Sequence, residues 1–182
     1  MRGADETGGY RPVAKLLHWL TALLVLGMLG VGLWMVGLPI SLTKLYVYAW
    51  HKWIGLTILL LTVLRLVWRT YSPPPPLPAS ATAWERRLAP WAHVALLVLL
   101  LAMPVSGWMM SSAGGVSVHW FGMIDLPDLI SPDPLAFTIL RTMHYWLAWA
   151  LMAILALHVA AVLHHDLFRR DGIWRRMSPF AR

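Results

Sequence analysis

The apolar positions of the chain come in four long blocks separated by polar or proline-rich breaks. They run roughly from Val13 to Gly37, Leu45 to Trp68, Leu88 to Ser111 and Phe137 to Leu163. Each is close to the ~20 residues that a helix needs to span a hydrocarbon core. The pattern predicts an all-α fold, a transmembrane four-helix bundle, with residues 1–182 forming one membrane domain. The first block follows a polar stretch, MRGADETGGYRP. It is too long for a signal-peptide core and has no evident small-residue cleavage site, so it is expected to be retained.

The breaks differ in character. YSPPPPLPAS cannot continue a helix, because each proline removes a donor and fixes φ, and it reads as a stiff spacer. Trp84, Glu85, Arg86 and Arg87 are expected to resume an interfacial turn. Residues 112–136 contain VSVHWFGMIDLPDLI, apolar enough to lie on the bundle or in a headgroup layer, and three aspartates, Asp125, Asp128 and Asp133. The final HHDLFRRDGIWRRMSPF mixes bases with large apolar residues, the composition of an interfacial segment.

Composition supports a membrane protein. The chain is 59% hydrophobic and only 13% charged, which a soluble domain of this size is not. The net charge of +7 matters less than its placement. Arg2, Arg11 and Lys15 precede the first block; Arg65, Arg69, Arg86 and Arg87 surround the second break; Arg169, Arg170, Arg175, Arg176 and Arg182 follow the last block. The first break has Lys44, and the third has no base before Arg141. The positive-inside rule then puts both termini in the cytoplasm and residues 112–136 outside. Bases that flank spans are topology anchors, so nucleic acid is not an expected partner. Trp19, Trp50, Trp53, Trp68, Trp91 and Trp146 lie near span ends, where an aromatic belt would place them. Gly27, Gly30, Gly32 and Gly37 permit close approach of a helix or a flat ligand.

Cysteine is absent, which excludes disulfides, thiolate-held clusters and zinc, and covalently attached haem. Histidine remains as the dominant candidate metal ligand, and there are eight. An ionisable ring inside a bilayer needs a specific partner. In HYWLAWALMAILALH, His144 and His158 lie fourteen residues apart, about 40° short of four helical turns and roughly 21 Å along one face. With the topology above, His51 and His144 fall in the outer half, while His18, His93 and His158 fall in the inner half. His164 and His165 reach the inner headgroups, and His119 sits in the outer loop. The layers suggest His51 with His144, and His158 with either His18 or His93. Two ligands per site are too few for structural or catalytic zinc. They suit an iron porphyrin, which fills four positions itself and leaves two axial ones, so two non-covalent b-type haems are expected, stacked across the membrane.

The segments KLLHWLTALL, HKWIGLTILLLTVLRLVWR followed by prolines, AHVALLVLLLAMPVSGWMM and MHYWLAWALMAILALHVAAVLHH, with the ending RRMSP, resemble the bacterial cytochrome b561 family. The likeness covers essentially the whole chain and is greatest to the short four-helix di-haem form, the superoxide oxidase type. It implies a bacterial inner-membrane location, with His18 and His158 on the inner haem iron and His51 and His144 on the outer one. It also implies oxidation of superoxide at the outer face and transfer of the electron to ubiquinone.

Within that expectation the remaining residues acquire candidate roles. Lys52 and Arg141 adjoin the outer ligands and can steer superoxide or hold haem propionates. Arg65 and Arg69 are candidates for inner propionates, against the alternative of snorkelling anchors. His93, His164 and His165 are candidates for quinone contact or proton delivery. The competing reading is a haem b adaptor subunit that links a separate dehydrogenase, hydrogenase or other redox protein partner to quinone, with the outer loop as a docking surface. A transporter is disfavoured by the lack of matched repeats and broken helices.

Overall fold

The computed structural model describes residues 9–78 and 81–180. Arg2 and Arg182 of the charge pattern, and Ala79 and Ser80 of the proline-rich break, lie outside the described residues. Four long helices dominate: α1 (Pro12–Met35), α2 (Leu42–Tyr71), α3 (Ala83–Ala113) and α4 (Pro134–His164). All four are long and apolar enough to cross a membrane. α1 packs on α2, α2 on α3, and α3 on α4.

Local chemistry sets the helix ends. Pro12 stands at the start of α1, where its missing N–H costs nothing. The Lys44 ammonium donates to the carbonyls of Leu38, at 2.7 Å, and Val36, at 3.5 Å, so this cation serves the chain leaving α1. Glu85 accepts from the backbone N–H of Thr82 at 2.7 Å. That bond draws residues 84–87, expected as a separate interfacial turn, into the first turns of α3. Asp133 accepts from the N–H groups of Leu135 and Ala136, with Pro134 following, and starts α4 earlier than the apolar block does.

The connection between α3 and α4 is tied down along its length. Residues His119–Trp120 (β1) and Ile124–Asp125 (β2) pair antiparallel, the one departure from helix among the described elements. The chain reverses through Phe121 and Gly122, at φ 52° and 68°. Left-handed backbone is costly for phenylalanine, by about 1 kcal/mol. Its ring is compensated by packing on Trp50 and Trp53, with centroids 6.0 and 5.3 Å away. The Trp120 indole donates to the Trp53 carbonyl at 3.1 Å, fixing the hairpin over the start of α2.

At the opposite end, α4 runs into a π-helical turn, His165–Arg169, and a short helix, α5 (Ile173–Met177). α5 returns beneath α1: the Trp19 indole donates to the Met177 carbonyl at 2.9 Å and stacks edge-on against Trp174.

The core is small and central. Val25, Ile58, Leu100 and Leu151, one from each long helix, are buried together. Leu16, Leu23, Leu26, Val98 and Leu157 point outward, each more than half exposed. Such a surface is unfavourable in water and neutral in hydrocarbon, so lipid is its solvent.

Candidate functional site

Each core residue sits midway between two others seven residues away along its helix. The series are His18–Val25–Gly32, His51–Ile58–Arg65, His93–Leu100–Gly107 and His144–Leu151–His158. Seven residues turn a helix through about 700°, some 20° short of two turns, so each series keeps one face. Antiparallel neighbours then bring the ends into two layers about 21 Å apart, with the apolar plug between them.

The layer nearer the hairpin holds His51, His144, Gly32 and Gly107. The two imidazoles, from α2 and α4, have centroids 6.4 Å apart. A β-carbon on Gly32 would meet His51 Cε1 at 3.3 Å, and one on Gly107 would meet His144 Cε1 at 3.1 Å. Glycine at these two positions is what lets each ring lie flat along the neighbouring helix. His144 Nδ1 is 2.9 Å from Ser106 Oγ, whose own hydrogen goes to the Met103 carbonyl at 2.7 Å. Ser106 therefore accepts, His144 carries its proton on Nδ1, and Nε2 keeps a lone pair for a metal. His51 Nδ1 is buried with no partner among the described residues.

The layer nearer the termini holds His18, His93, His158 and Arg65. The His18–His158 centroids are 6.4 Å apart and the His93–His158 centroids 5.6 Å. Arg65 places a guanidinium nitrogen 3.3 Å from His18 Nδ1. His93 is exposed, and its Nδ1 donates to the Ala89 carbonyl at 2.7 Å.

These distances test the fit of a haem. With a metal–imidazole bond of about 2.0 Å and about 1.1 Å from ring nitrogen to ring centre, two rings trans across one ion have centroids about 6.3 Å apart. His51–His144 and His18–His158 meet that spacing, while His93–His158 falls short of it. Gly55, one turn beyond His51 on α2, has open space where a side chain would begin, room of the kind a flat macrocycle needs. The donor set is neutral imidazole only, with no cluster of three or more ligating side chains among the described residues. The residues present fit the group.

The other candidates are dispersed. Lys52 is half-buried and donates to Ser111 Oγ at 3.1 Å, tying α2 to the end of α3. Arg141 is exposed on α4 with no ion pair among the described residues. Arg69 lies with Arg65 and Arg176 around Tyr10, whose phenol is pushed up by burial against the pull of those three cations. His164 is exposed and stacks on Phe168. His165 is held between two carboxylates, its Nδ1 2.6 Å from Asp171 and its Nε2 3.5 Å from Glu85. Arg169 completes this group with bonds of 2.6 and 2.8 Å to Glu85.

Burial alone would raise the Asp171 carboxyl, but hydrogen bonds from His165 and the Ile173 N–H, with the charge of Arg169, hold it below the usual carboxylate range. A depressed carboxylate contributes stability above its unfolded pKa and loses it as pH falls through the folded one. Asp171→Asn should lower the melting temperature in detergent at pH 7 by a few degrees and leave a shallower loss on acidification. A melting curve against pH, with the parent as reference, checks this.

The sequence reading left Ser106, Gly107 and the Glu85–Arg169 clamp without roles. Gly107 carries a signal in hindsight: it lies two helical heptads beyond His93, level with His144, with Ser106 just before it.

Residues 9–180 match the family model described as prokaryotic cytochrome b561. The chain belongs to the prokaryotic cytochrome b561 family. It is 34% identical over 176 residues to cytochrome b561 homolog 2 of Escherichia coli strain K12, covering 92% of this chain and 90% of that one. It is 27% identical over 175 residues to cytochrome b561 homolog 1 of the same strain, covering 90% and 93%. As a cytochrome b561 it is a multi-pass membrane protein of redox electron transfer, and the family implies haem b.

Proposed function

We propose that this cytochrome b561 is a di-haem superoxide:ubiquinone oxidoreductase of the bacterial inner membrane, with both termini cytoplasmic and the hairpin outside. The observation that carries the reading is the pair of two-histidine sites, each spaced 6.4 Å, at the two ends of one apolar plug. His51 and His144 would hold the outer haem, and His18 and His158 the inner one. Bound haem iron supplies one-electron exchange at each level. Lys52 and Arg141 offer positive charge beside the outer pair for a small anion. At the cytoplasmic end, His165 between Glu85 and Asp171 is suited to move protons toward a quinone, and His93 beside His158 and His164 beside His165 are further candidates. Arg69 offers charge for an inner propionate, while Arg65 lies against His18 Nδ1. Two superoxide ions leave two dioxygen molecules and two electrons; ubiquinone takes both electrons and two protons to become ubiquinol.

The test is a superoxide pulse on the purified protein. Fast appearance of the reduced b-type spectrum, reversed by added ubiquinone, is expected. Lys52→Gln with Arg141→Gln should slow that reduction several-fold at low salt and flatten its dependence on ionic strength. An unchanged rate and salt slope in the double variant would remove the steering role. No reduction by superoxide in the parent would favour the second reading, an electron-transfer adaptor for another redox protein. That alternative draws support from the hairpin region, where Met123 and Val116 are 80% and 54% exposed.

A further inference from the structure

The two histidine pairs have different surroundings, and the difference has a direction. In the outer pair, the Nδ1 hydrogen of His144 is taken by Ser106 Oγ, a hydroxyl only 2% exposed, together with the Met103 carbonyl that also accepts from that hydroxyl. A hydrogen bond accepted from the far nitrogen makes an imidazole a stronger electron donor to its metal. It stabilises the oxidised ion, which carries the extra positive charge. In the inner pair no hydroxyl or carbonyl acceptor of this kind is found at either ring among the described residues. At His18 Nδ1 the neighbour is the guanidinium of Arg65, 3.3 Å away, a donor that cannot take a hydrogen from the ring. A permanent positive charge at that distance, in a half-buried setting, disfavours the oxidised ion and favours the reduced one.

Both effects push the same way. We propose that Ser106 and Arg65 are positioning residues that set the two centres apart in potential, the outer one low and the inner one high. The inference rests on the two-haem reading above. Under it, haem held by His51 and His144 would give up an electron more readily than haem held by His18 and His158, and Ser106 and Arg65 would set that difference. Flow from the hairpin end toward the cytoplasmic end is then downhill before any quinone is reached. The arrangement follows from the layer register: Ser106 adjoins Gly107 opposite His144, and Arg65 is the α2 member of the His18 layer.

A spectroelectrochemical titration of the detergent-purified, haem-loaded chain reads this directly. A His51→Ala chain, keeping only the inner pigment, assigns which midpoint belongs to which centre. Ser106→Ala should raise the outer midpoint alone, by an amount on the order of a tenfold change in the oxidised-to-reduced ratio, ~59 mV for one electron. Ser106→Thr, which keeps the hydroxyl, should restore it. Arg65→Gln should lower the inner midpoint alone by a similar order, and Arg65→Lys should hold it near the parent value. Low-temperature electron paramagnetic resonance of the oxidised protein should show the outer low-spin signal shifted in Ser106→Ala with the inner signal unmoved. The proposal is overturned if the outer centre of the parent is the higher in potential, or if the alanine and glutamine variants leave both midpoints in place or move both together. A parent chain that binds no haem, or one haem, overturns the two-haem reading instead, and the two failures are told apart by pigment content.

Discussion

Replacing His144 with alanine should halve the haem content of the purified chain while the bundle remains folded. The expectation comes from how the ring is held. His144 lies in the slot opened by Gly107, has its tautomer fixed by Ser106, and faces His51 at the spacing of a bis-imidazole ion. Removing one of the two imidazoles would leave a single donor with nothing in reach to replace the other, since the nearest neighbours of the ring are glycine and a serine already bonded to its helix. The fourteen residues that separate His144 from His158 put the inner site about 21 Å away, too far to share the damage. Haem-to-protein ratio and the reduced b-type spectrum measure the loss, and circular dichroism checks the helices. His119→Ala and His164→Ala are the matched controls. His119 is paired with Asp125 in the exposed hairpin and His164 stacks on Phe168 at the far end, so both should keep full pigment. Full pigment in His144→Ala, or equal loss in the controls, would mean that the layer does not hold the cofactor.

What the sequence made legible is what depends on periodicity. Four apolar blocks locate four helices, because a helix in lipid must satisfy its own backbone and present apolar atoms all round. The histidines could be sorted into levels because depth follows from position along a span. Which rings meet within a level could not be read, since that depends on rotation about each helix axis. His18 and His93 are equivalent in depth and are told apart by the distance of their rings from His158 and by their side-chain partners. Contacts between distant segments were equally out of reach: Glu85 finding Arg169, Lys52 finding Ser111, and the Trp120 indole finding the Trp53 carbonyl. Lys44 and Lys52 read alike as exterior cations, yet the first gathers carbonyls beyond α1 and the second bonds a serine of α3. A serine in an apolar helix such as PVSGW reads as a packing residue, and only its Oγ–Nδ1 distance reveals that it orients a ring.

The heptad register also explains why the two layers are not equivalent copies. In the outer layer the helices without a histidine, α1 and α3, contribute glycines, so the space beside each ring is empty of side chain. In the inner layer the corresponding positions on α2 and α3 are Arg65 and His93, large and polar. The layer near the hairpin is thus lined by glycine, and the layer near the termini by charged and polar side chains. The plug of Val25, Ile58, Leu100 and Leu151 separates them with packed aliphatic groups.

That asymmetry makes the inner layer the sharper test, because three histidines compete there for two places. His18→Ala should remove the inner pigment and leave the outer one, again halving haem content. His93→Ala should retain both. The His18 and His158 rings stand 6.4 Å apart, whereas His93 stands 5.6 Å from His158, too close for a common ion at about 6.3 Å. His93 is moreover exposed and bonded to its own helix through Ala89. If it serves the quinone, as its place beside the inner pair allows, His93→Ala should slow reoxidation of the reduced pigment by ubiquinone several-fold with the spectrum unchanged. Pigment content and quinone-driven reoxidation, measured on the same two preparations, separate a ligand from a neighbour. The reverse pattern, with haem lost in His93→Ala and kept in His18→Ala, would reassign the inner iron to α3 and α4 and return Arg65 to the role of an interfacial anchor.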